Sequence, residues 1–261
     1  MNKILISLIT FIGLACTTDK TDRLKNTIYK MGFKTDSSST GPLDNSAFVL
    51  KMKGKPSPLL LTAHHTVAGI GNEKYLKWNE IASIQKNAWA WSMHDSTVNF
   101  KVGKNLPIKG AETLRLDIAA FYLPNDEIPF LQPARKAAQL GDTVFLYSKI
   151  VYQNKPSLLN RGVVIYKTDS VMIYELTDFH MARIMGGTSG SCVINREGEV
   201  VSNSYAGFTI PNDEIKQQLE QRFSLLKRIQ TSEGKSYGVG APIALIEASL
   251  ILALNTHEII R

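Results

Sequence analysis

Hydrophobic and polar positions alternate along much of this chain in short runs, which is the pattern of β-strands. The alternation starts at residues 46–52, passes through a turn at residues 54–58 that is rich in Gly, Ser and Pro, and resumes at residues 59–63. Such runs, bounded by turn residues, predict a hairpin. Similar segments at residues 161–166 and 170–176 predict further strands.

Two segments near the C-terminus have helical spacing instead. Residues 211–230 carry apolar side chains every three or four positions, at Ile215, Leu219, Phe223 and Leu226. Acidic residues open this segment and basic residues close it, as the helix dipole favours. Residues 244–260 predict a C-terminal helix, whose apolar run is too short and too interrupted to span a membrane.

The N-terminus begins with a short charged segment and continues as an apolar run from Ile4 to Ala15, which is typical of an export signal. The run ends in Gly-Leu-Ala-Cys at residues 13–16, which resembles a bacterial lipobox. In a lipobox Cys16 is acylated and becomes the new N-terminus. The small residues Gly13 and Ala15 fit an ordinary signal peptidase equally well. Both interpretations predict export, and the first adds membrane attachment through Cys16, as a cell-envelope lipoprotein.

Residues 17–42 are polar and predict a tether, with a short helix at residues 22–31, ahead of the first strand.

The composition excludes some classes of function. The chain has 261 residues, 44% of them hydrophobic and 20% charged, with a formal net charge of +7. Its Lys and Arg residues are spread along the chain without a basic run, which predicts a solvated basic surface rather than a nucleic-acid site. The only two cysteines are Cys16 and Cys192, so we expect no disulfide, and Cys192 is interpreted as a small buried hydrophobic residue.

Residues 185–193 place Ser189 between glycines, a pattern that alone indicates only a tight turn. On such a turn the N–H groups of Gly187 and Ser189 can converge on one point beside the hydroxyl group, as an oxyanion requires. Two upstream segments favour the chemical interpretation. His64 and His65 follow a predicted strand, and Asp117 interrupts an apolar run, where a carboxylate is costly unless it is hydrogen-bonded.

His, Asp and Ser in this order match one of the chain orders of the nucleophilic triad. With these flanks the sequence resembles the chymotrypsin-like (trypsin-fold) serine peptidases, nearest to the bacterial Deg-type and Glu-specific extracellular branches. The shared motifs are T-A-x-H-x-V around His65, D-I-A at Asp117, G-x-S-G-S around Ser189 and L-G-D-x-V from residue 140. Residues 237–243 resemble the closing G-x-A-x-P strand of the same family, although they read Y-G-V-G-A-P-I.

The resemblance implies an all-β fold of two antiparallel six-stranded β-barrels with a C-terminal helix. The first barrel is expected at residues 43–128, and the second, with an inserted helix, at residues 129–261. It implies that Ser189 is the nucleophile, that His65 rather than His64 is the base, and that Asp117 orients that base. Neither a metal nor a cofactor is implied, and the expected partner is a protein or peptide substrate.

The resemblance also places a substrate pocket around Arg183, Ser202, Ser204 and Ala206. A buried Arg183 needs a carboxylate partner, which an acidic substrate residue can provide. Alternatively, Arg183 extends out of the pocket or pairs with Asp178, which leaves a small apolar or mixed pocket. Both interpretations exclude a preference for Lys or Arg at the cleavage site.

Two other functions compete with the endopeptidase. One is a catalytically silent surface lipoprotein of the same fold that binds peptides or proteins. The other is an esterase or lipase, which the order His, Asp, Ser disfavours.

Overall fold

This computed structural model describes residues 24–35, 38–39, 45–68, 76–83, 88–113, 115–152, 155–180, 187–222 and 224–259. The predicted export signal, Cys16 and Arg183 lie outside the described residues.

The described residues form two antiparallel sheets and three α-helices. The strands of the first sheet are β1 (Ile28–Thr35), β2 (Ser38–Ser39), β3 (Ala47–Leu50), β4 (Leu59–Thr62), β5 (Ala88–Ser92), β6 (Asn99–Lys101), β7 (Asn105–Leu106) and β8 (Ala119–Tyr122). Those of the second are β9 (Thr143–Tyr152), β10 (Lys155–Lys167), β11 (Met172–His180), β12 (Ser191–Ile194), β13 (Val200–Ser204), β14 (Ala206–Ile210) and β15 (Lys235–Gly240). The helices are α1 (His64–Ala68), α2 (Asp213–Arg222) and α3 (Ile243–Ile259), with 3₁₀ turns at Ile81–Ser83 and Ser224–Arg228.

The first sheet runs in the order β6-β5-β1-β3-β4-β8-β7, with β2 paired to β1, and curls around its own apolar interior. Strands β3 and β4 are buried along their whole length. Val49 and Leu60 belong to the interior of this sheet, whereas Phe48 and Leu61 belong to a second cluster shared with the other half of the molecule. Because both faces of these strands are covered, they form the inner wall of the first half.

The second sheet runs in the order β13-β12-β9-β10-β11-β15-β14 and has a separate interior. Tyr147 of β9 and Cys192 of β12 turn away from that interior and join the shared cluster with Phe48 and Leu61. Helix α3 closes the same cluster with Ile246 and other apolar residues. The two halves therefore pack through a continuous apolar interface, and the loops that flank it can meet at its edge.

The predicted trypsin-like fold is confirmed, but the strand numbers differ from six in each barrel. Within the described residues the first sheet has eight strands and the second has seven. One reason is β1, which lies in the predicted tether and pairs with both β3 and β5. The predicted tether is therefore wrong over residues 28–35, and the helix predicted at residues 22–31 is wrong over residues 28–31, where β1 lies.

The two C-terminal helices lie where their spacing predicts them, α2 as a short helix followed by a 3₁₀ turn, and α3 as the last element. None of the helices in the described part of the chain is long and apolar enough to cross a membrane.

Candidate active site

His65 and Asp117 form the most tightly defined part of the site. His65 lies in α1, directly after β4, and Asp117 lies in the turn before β8, the strand that pairs with β4. The Nδ1 atom of His65 lies 2.7 Å from Oδ2 of Asp117, and the backbone N–H of His65 donates to Oδ1 at 3.0 Å. A carboxylate only accepts hydrogen bonds, so Nδ1 carries the ring proton and Nε2 keeps its lone pair. That tautomer is the one a general base requires.

Asp117 is buried and its backbone is unusual. Its side chain is 8% exposed, whereas that of His65 is 40% exposed. Its φ angle is +37°, and its N–H donates to the carbonyl oxygen of Thr113 at 2.9 Å. A positive φ is uncommon outside glycine, and such residues cluster at functional sites. The tight turn aims both carboxylate oxygens at His65.

The loop that carries Ser189 joins the site from the second sheet. Gly187 and Gly190 have φ angles of +81° and +89°, in the region that only glycine enters freely. The hydroxyl group of Ser189 donates to the carbonyl oxygen of Tyr205 at 3.3 Å. In this arrangement no hydrogen bond links Ser189 to the ring of His65, and the single hydroxyl proton of Ser189 must leave Tyr205 before it can be donated to that ring.

Tyr205 also connects Ser189 to Asp117. Its side chain is buried, and that burial, together with the negative charge of Asp117, raises its pKa to about 12. The phenol therefore stays neutral. The residue thus bonds to Ser189 through its carbonyl group and lies within electrostatic reach of the carboxylate of Asp117.

Ser46, just before β3, bonds the nucleophile loop to the first sheet. Its N–H donates to the carbonyl oxygen of Ser189 at 2.9 Å, and its hydroxyl group donates to that of Gly187 at 2.6 Å. Close packing accompanies these bonds, because a Cβ atom on Gly190 would lie 2.1 Å from the carbonyl oxygen of Ser46 and 2.8 Å from the backbone nitrogen of Ala63. Ala63 precedes His65 by two residues, so this junction brings the loop that carries Ser189 beside His65.

The predicted oxyanion donors are Gly187 and Ser189. The carbonyl oxygen of Thr188 accepts from the N–H of Ser191 at 3.0 Å. In a planar trans peptide the N–H points opposite to the carbonyl group, so the N–H of Ser189 is directed away from this bond. The N–H of Gly187 shares its peptide with Gly186, which lies outside the described residues.

The predicted pocket residues differ in their exposure to solvent. Ser202 and Ser204 are fully buried, and their place in the substrate pocket stays a prediction. The hydroxyl group of Ser202 lies 2.7 Å from the carbonyl oxygen of Ala241, and that of Ser204 accepts from the phenol of Tyr174. Ala206 is exposed at the start of β14.

Two further predictions concern single residues. His64, which the shared motif does not select as the base, is buried, and its Nε2 atom lies 2.9 Å from the carbonyl oxygen of Leu76. Cys192 is buried in the shared core, where burial raises the pKa of its thiol. Its interpretation as a small hydrophobic residue is confirmed. Ser46 and Tyr205 were not predicted as site residues, and no local motif marks either of them.

The geometry agrees with comparisons to known proteins. Residues 45–202, more than half of the chain, match the profile of the trypsin-like peptidase domain. A search of curated proteins finds no match.

Two of the solved structures that share the fold are proteases. A serine endoprotease from Yersinia pestis is 13% identical, with a TM-score of 0.52 over 91% of this chain and 66% of its own. The HtrA-type protease AlgW, solved with a decapeptide, is 12% identical, with a TM-score of 0.54 over 91% of this chain and 67% of its own. This chain thus spans about two thirds of the length of either protein.

Proposed function

Since the chain belongs to the trypsin-like peptidase family, we propose that it is an endopeptidase that hydrolyses peptide bonds through Ser189, His65 and Asp117. The observation that carries the proposal is the double hydrogen bond from His65 to the buried carboxylate of Asp117. It fixes the ring of His65 in both orientation and tautomer.

The reaction follows from these positions. The hydroxyl group of Ser189 turns from the carbonyl group of Tyr205 to Nε2 of His65, loses its proton to that atom, and attacks the substrate carbonyl carbon. Negative charge develops on the carbonyl oxygen, beside the N–H groups of Gly187 and Ser189. His65 then returns the proton to the leaving amine, and the C–N bond breaks to leave an acyl-enzyme. Water, deprotonated by His65, attacks the ester and releases Ser189.

Substrate binding is proposed at the free edge of β14. Among the described strands β14 pairs only with β15, so its other edge has backbone groups available to an extended peptide. Ala206 and Gly207 at the start of this edge are exposed and follow Tyr205, whose carbonyl group holds the nucleophile. A peptide paired there lies next to Ser189.

The proposed specificity excludes Lys and Arg at the cleavage site. The described members of the predicted pocket, Ser202, Ser204 and Ala206, include no carboxylate that could bind a cationic side chain. A peptide library varied at the residue before the cleaved bond tests this point. Efficient cleavage after Lys or Arg would contradict it, and cleavage after Glu or Asp that is lost in Arg183→Ala would support pairing with Arg183.

A catalytically silent peptide-binding protein is the second candidate function, because the hydroxyl group of Ser189 is bonded to Tyr205 rather than to His65. A fluorophosphonate probe separates the two functions. We expect it to label the wild type and not Ser189→Ala, and we expect His65→Ala to lower peptidase activity by roughly 10⁴-fold to 10⁶-fold. His64→Ala is the matched control, with a much smaller loss. A folded wild type that stays unlabelled would refute the peptidase.

Export and lipidation are proposed from the N-terminal sequence alone. If Cys16 is acylated, the mature protein fractionates with membranes, and Cys16→Ser releases it or blocks its processing. Metabolic labelling with a fatty-acid analogue tests this proposal. Unlabelled wild-type protein would leave simple secretion as the explanation.

A further inference from the structure

Ser46 bonds to the nucleophile loop in two places, although the residue belongs to the other half of the molecule. Its backbone N–H holds the carbonyl group of Ser189, and its hydroxyl group holds that of Gly187. Ser46 is 1% exposed, so water does not compete for these bonds. We refer to the two bonds together as the Ser46 clamp.

The protons of the clamp can be assigned from the partners. A hydroxyl group has one proton, and that of Ser46 goes to the carbonyl oxygen of Gly187, which can only accept. The hydroxyl group of Ser148, in β9, lies 3.0 Å from that of Ser46 and must therefore donate to it. The hydroxyl group of Thr62 donates to the carbonyl oxygen of Ser46 at 2.6 Å. Buried groups thus hold Ser46 from both halves of the molecule.

The loop needs this support because of its sequence. Gly186 and Gly187 are consecutive glycines, which leave the backbone before Ser189 with wide conformational freedom. An oxyanion hole works only if its donors are already oriented when charge develops. Fixing the carbonyl group of Gly187 restricts rotation of the peptide between Gly187 and Thr188, which lies between the two predicted donors.

We propose that Ser46 is a positioning residue for the oxyanion hole, and that its hydroxyl group orients the N–H groups of Gly187 and Ser189 through the carbonyl group of Gly187. This inference rests on the proposed peptidase function. Ser46 touches neither the substrate nor the reacting atoms. Its loss therefore acts on transition-state binding and spares the binding of the ground state.

The test compares Ser46→Ala with the wild type, using the full chain and a peptide substrate that the wild type cleaves. Rates are normalised by active-site titration with a fluorophosphonate, so that only competent protein is counted. We expect kcat to fall by about 10-fold to 100-fold, up to the cost of losing one oxyanion donor. KM is expected to stay within about twofold, because uniform binding is unchanged.

A second measurement distinguishes positioning from packing. A peptide aldehyde forms a hemiacetal with Ser189 whose oxygen occupies the oxyanion hole, whereas the peptide acid of the same sequence makes no such bond. We expect aldehyde affinity in Ser46→Ala to fall by the same factor as kcat, with the affinity of the acid unchanged.

Matched variants complete the design. Ser92→Ala removes a buried hydroxyl group from the first sheet, bonded to Asn26 and outside the clamp, and should leave the kinetics unchanged. Ser148→Ala leaves the hydrogen bond from Ser46 to the carbonyl oxygen of Gly187 in place. Its decrease in kcat should therefore be smaller than that of Ser46→Ala. Ser46→Cys keeps a side chain of similar shape, with a thiol that is a weaker donor than the hydroxyl group. If the alanine variant does not fold, the cysteine variant should show an intermediate decrease in kcat and in aldehyde affinity.

Three results would overturn the inference. One is an active wild type whose Ser46→Ala variant keeps kcat and aldehyde affinity. Another is a variant in which affinities for the aldehyde and the acid fall together with thermal stability, since that pattern indicates packing alone. A wild type that neither reacts with the fluorophosphonate nor cleaves peptides would refute the peptidase itself, and the clamp with it.

Discussion

Gly190→Ala probes the junction between the two halves of the molecule. A Cβ atom on Gly190 would lie 2.1 Å from the carbonyl oxygen of Ser46 and 2.4 Å from the hydroxyl oxygen of Thr62. Ordinary van der Waals contact begins near 3.4 Å, so the carbonyl oxygen of Ser46 would have to move by 3.4 − 2.1 = 1.3 Å. That atom accepts the hydrogen bond from Thr62 and belongs to backbone packed against Ser189, so it cannot move alone.

The expected cost has three parts. A left-handed φ in a residue with a Cβ atom costs about 1–2 kcal/mol. Forcing an atom into a packed site adds about 1–3 kcal/mol. Loss of the bond between Thr62 and Ser46 adds about 1 kcal/mol. Gly190→Ala should therefore lower the free energy of unfolding by about 3–6 kcal/mol, a large part of the total for an ordinary domain.

Gly54→Ala is the matched control. Gly54 has a φ angle of +76°, and nothing lies within 4 Å of the position that its Cβ would take. This variant carries only the backbone cost of about 1–2 kcal/mol. Urea unfolding of both variants measures the difference, provided that the m-value is unchanged. If the two variants lost the same free energy of unfolding, within about 1 kcal/mol, the close approach of the two halves at Gly190 would be refuted.

Three other outcomes can be checked with standard assays. Asp117→Asn should lower kcat by about 10⁴-fold with the fold retained, because the wrong histidine tautomer is favoured; near-wild-type activity would count against the triad. Burial and, secondarily, the charge of Lys25 lower the pKa of His94 in the folded state, so the unfolded chain takes up a proton first as pH falls. The stability that this group contributes is complete above about pH 6.5 and is lost as the pH falls below that value. Below about pH 6.5 the urea midpoint of His94→Gln should therefore depend less on pH than that of the wild type. In a Cys16→Ser variant, Cys192 is the only thiol of the sequence and should react with a thiol reagent only after unfolding, because burial raises its pKa; rapid reaction of the native protein would contradict its burial.

The residues of the proposed triad can be singled out in the sequence because each has a local signature. His65 follows a strand, Asp117 interrupts an apolar run and Ser189 lies between glycines. Ser46 has no such signature, since a serine before a strand is common and its partner Gly187 lies 141 residues further along the chain. Long-range hydrogen bonds of this kind leave no periodic pattern in a single sequence.

The first strand was missed for a different reason. Ile28 and Tyr29 are neighbours in the sequence and both are buried, but they contribute to different apolar clusters on opposite sides of β1. A strand covered on both faces does not alternate between apolar and polar residues. Its polar surroundings in residues 17–42 then favoured a tether.

The bonds between Ser46 and the nucleophile loop also determine when the site can exist. The loop is held by a residue that leaves the ribosome far ahead of it, so the arrangement cannot form until the second half has been synthesised and has docked on the first. A chain that is still being synthesised therefore carries Ser189 without the contacts that place it beside His65. Because the site is divided between the two halves, Ser189 can meet His65 and Asp117 only after both halves have folded.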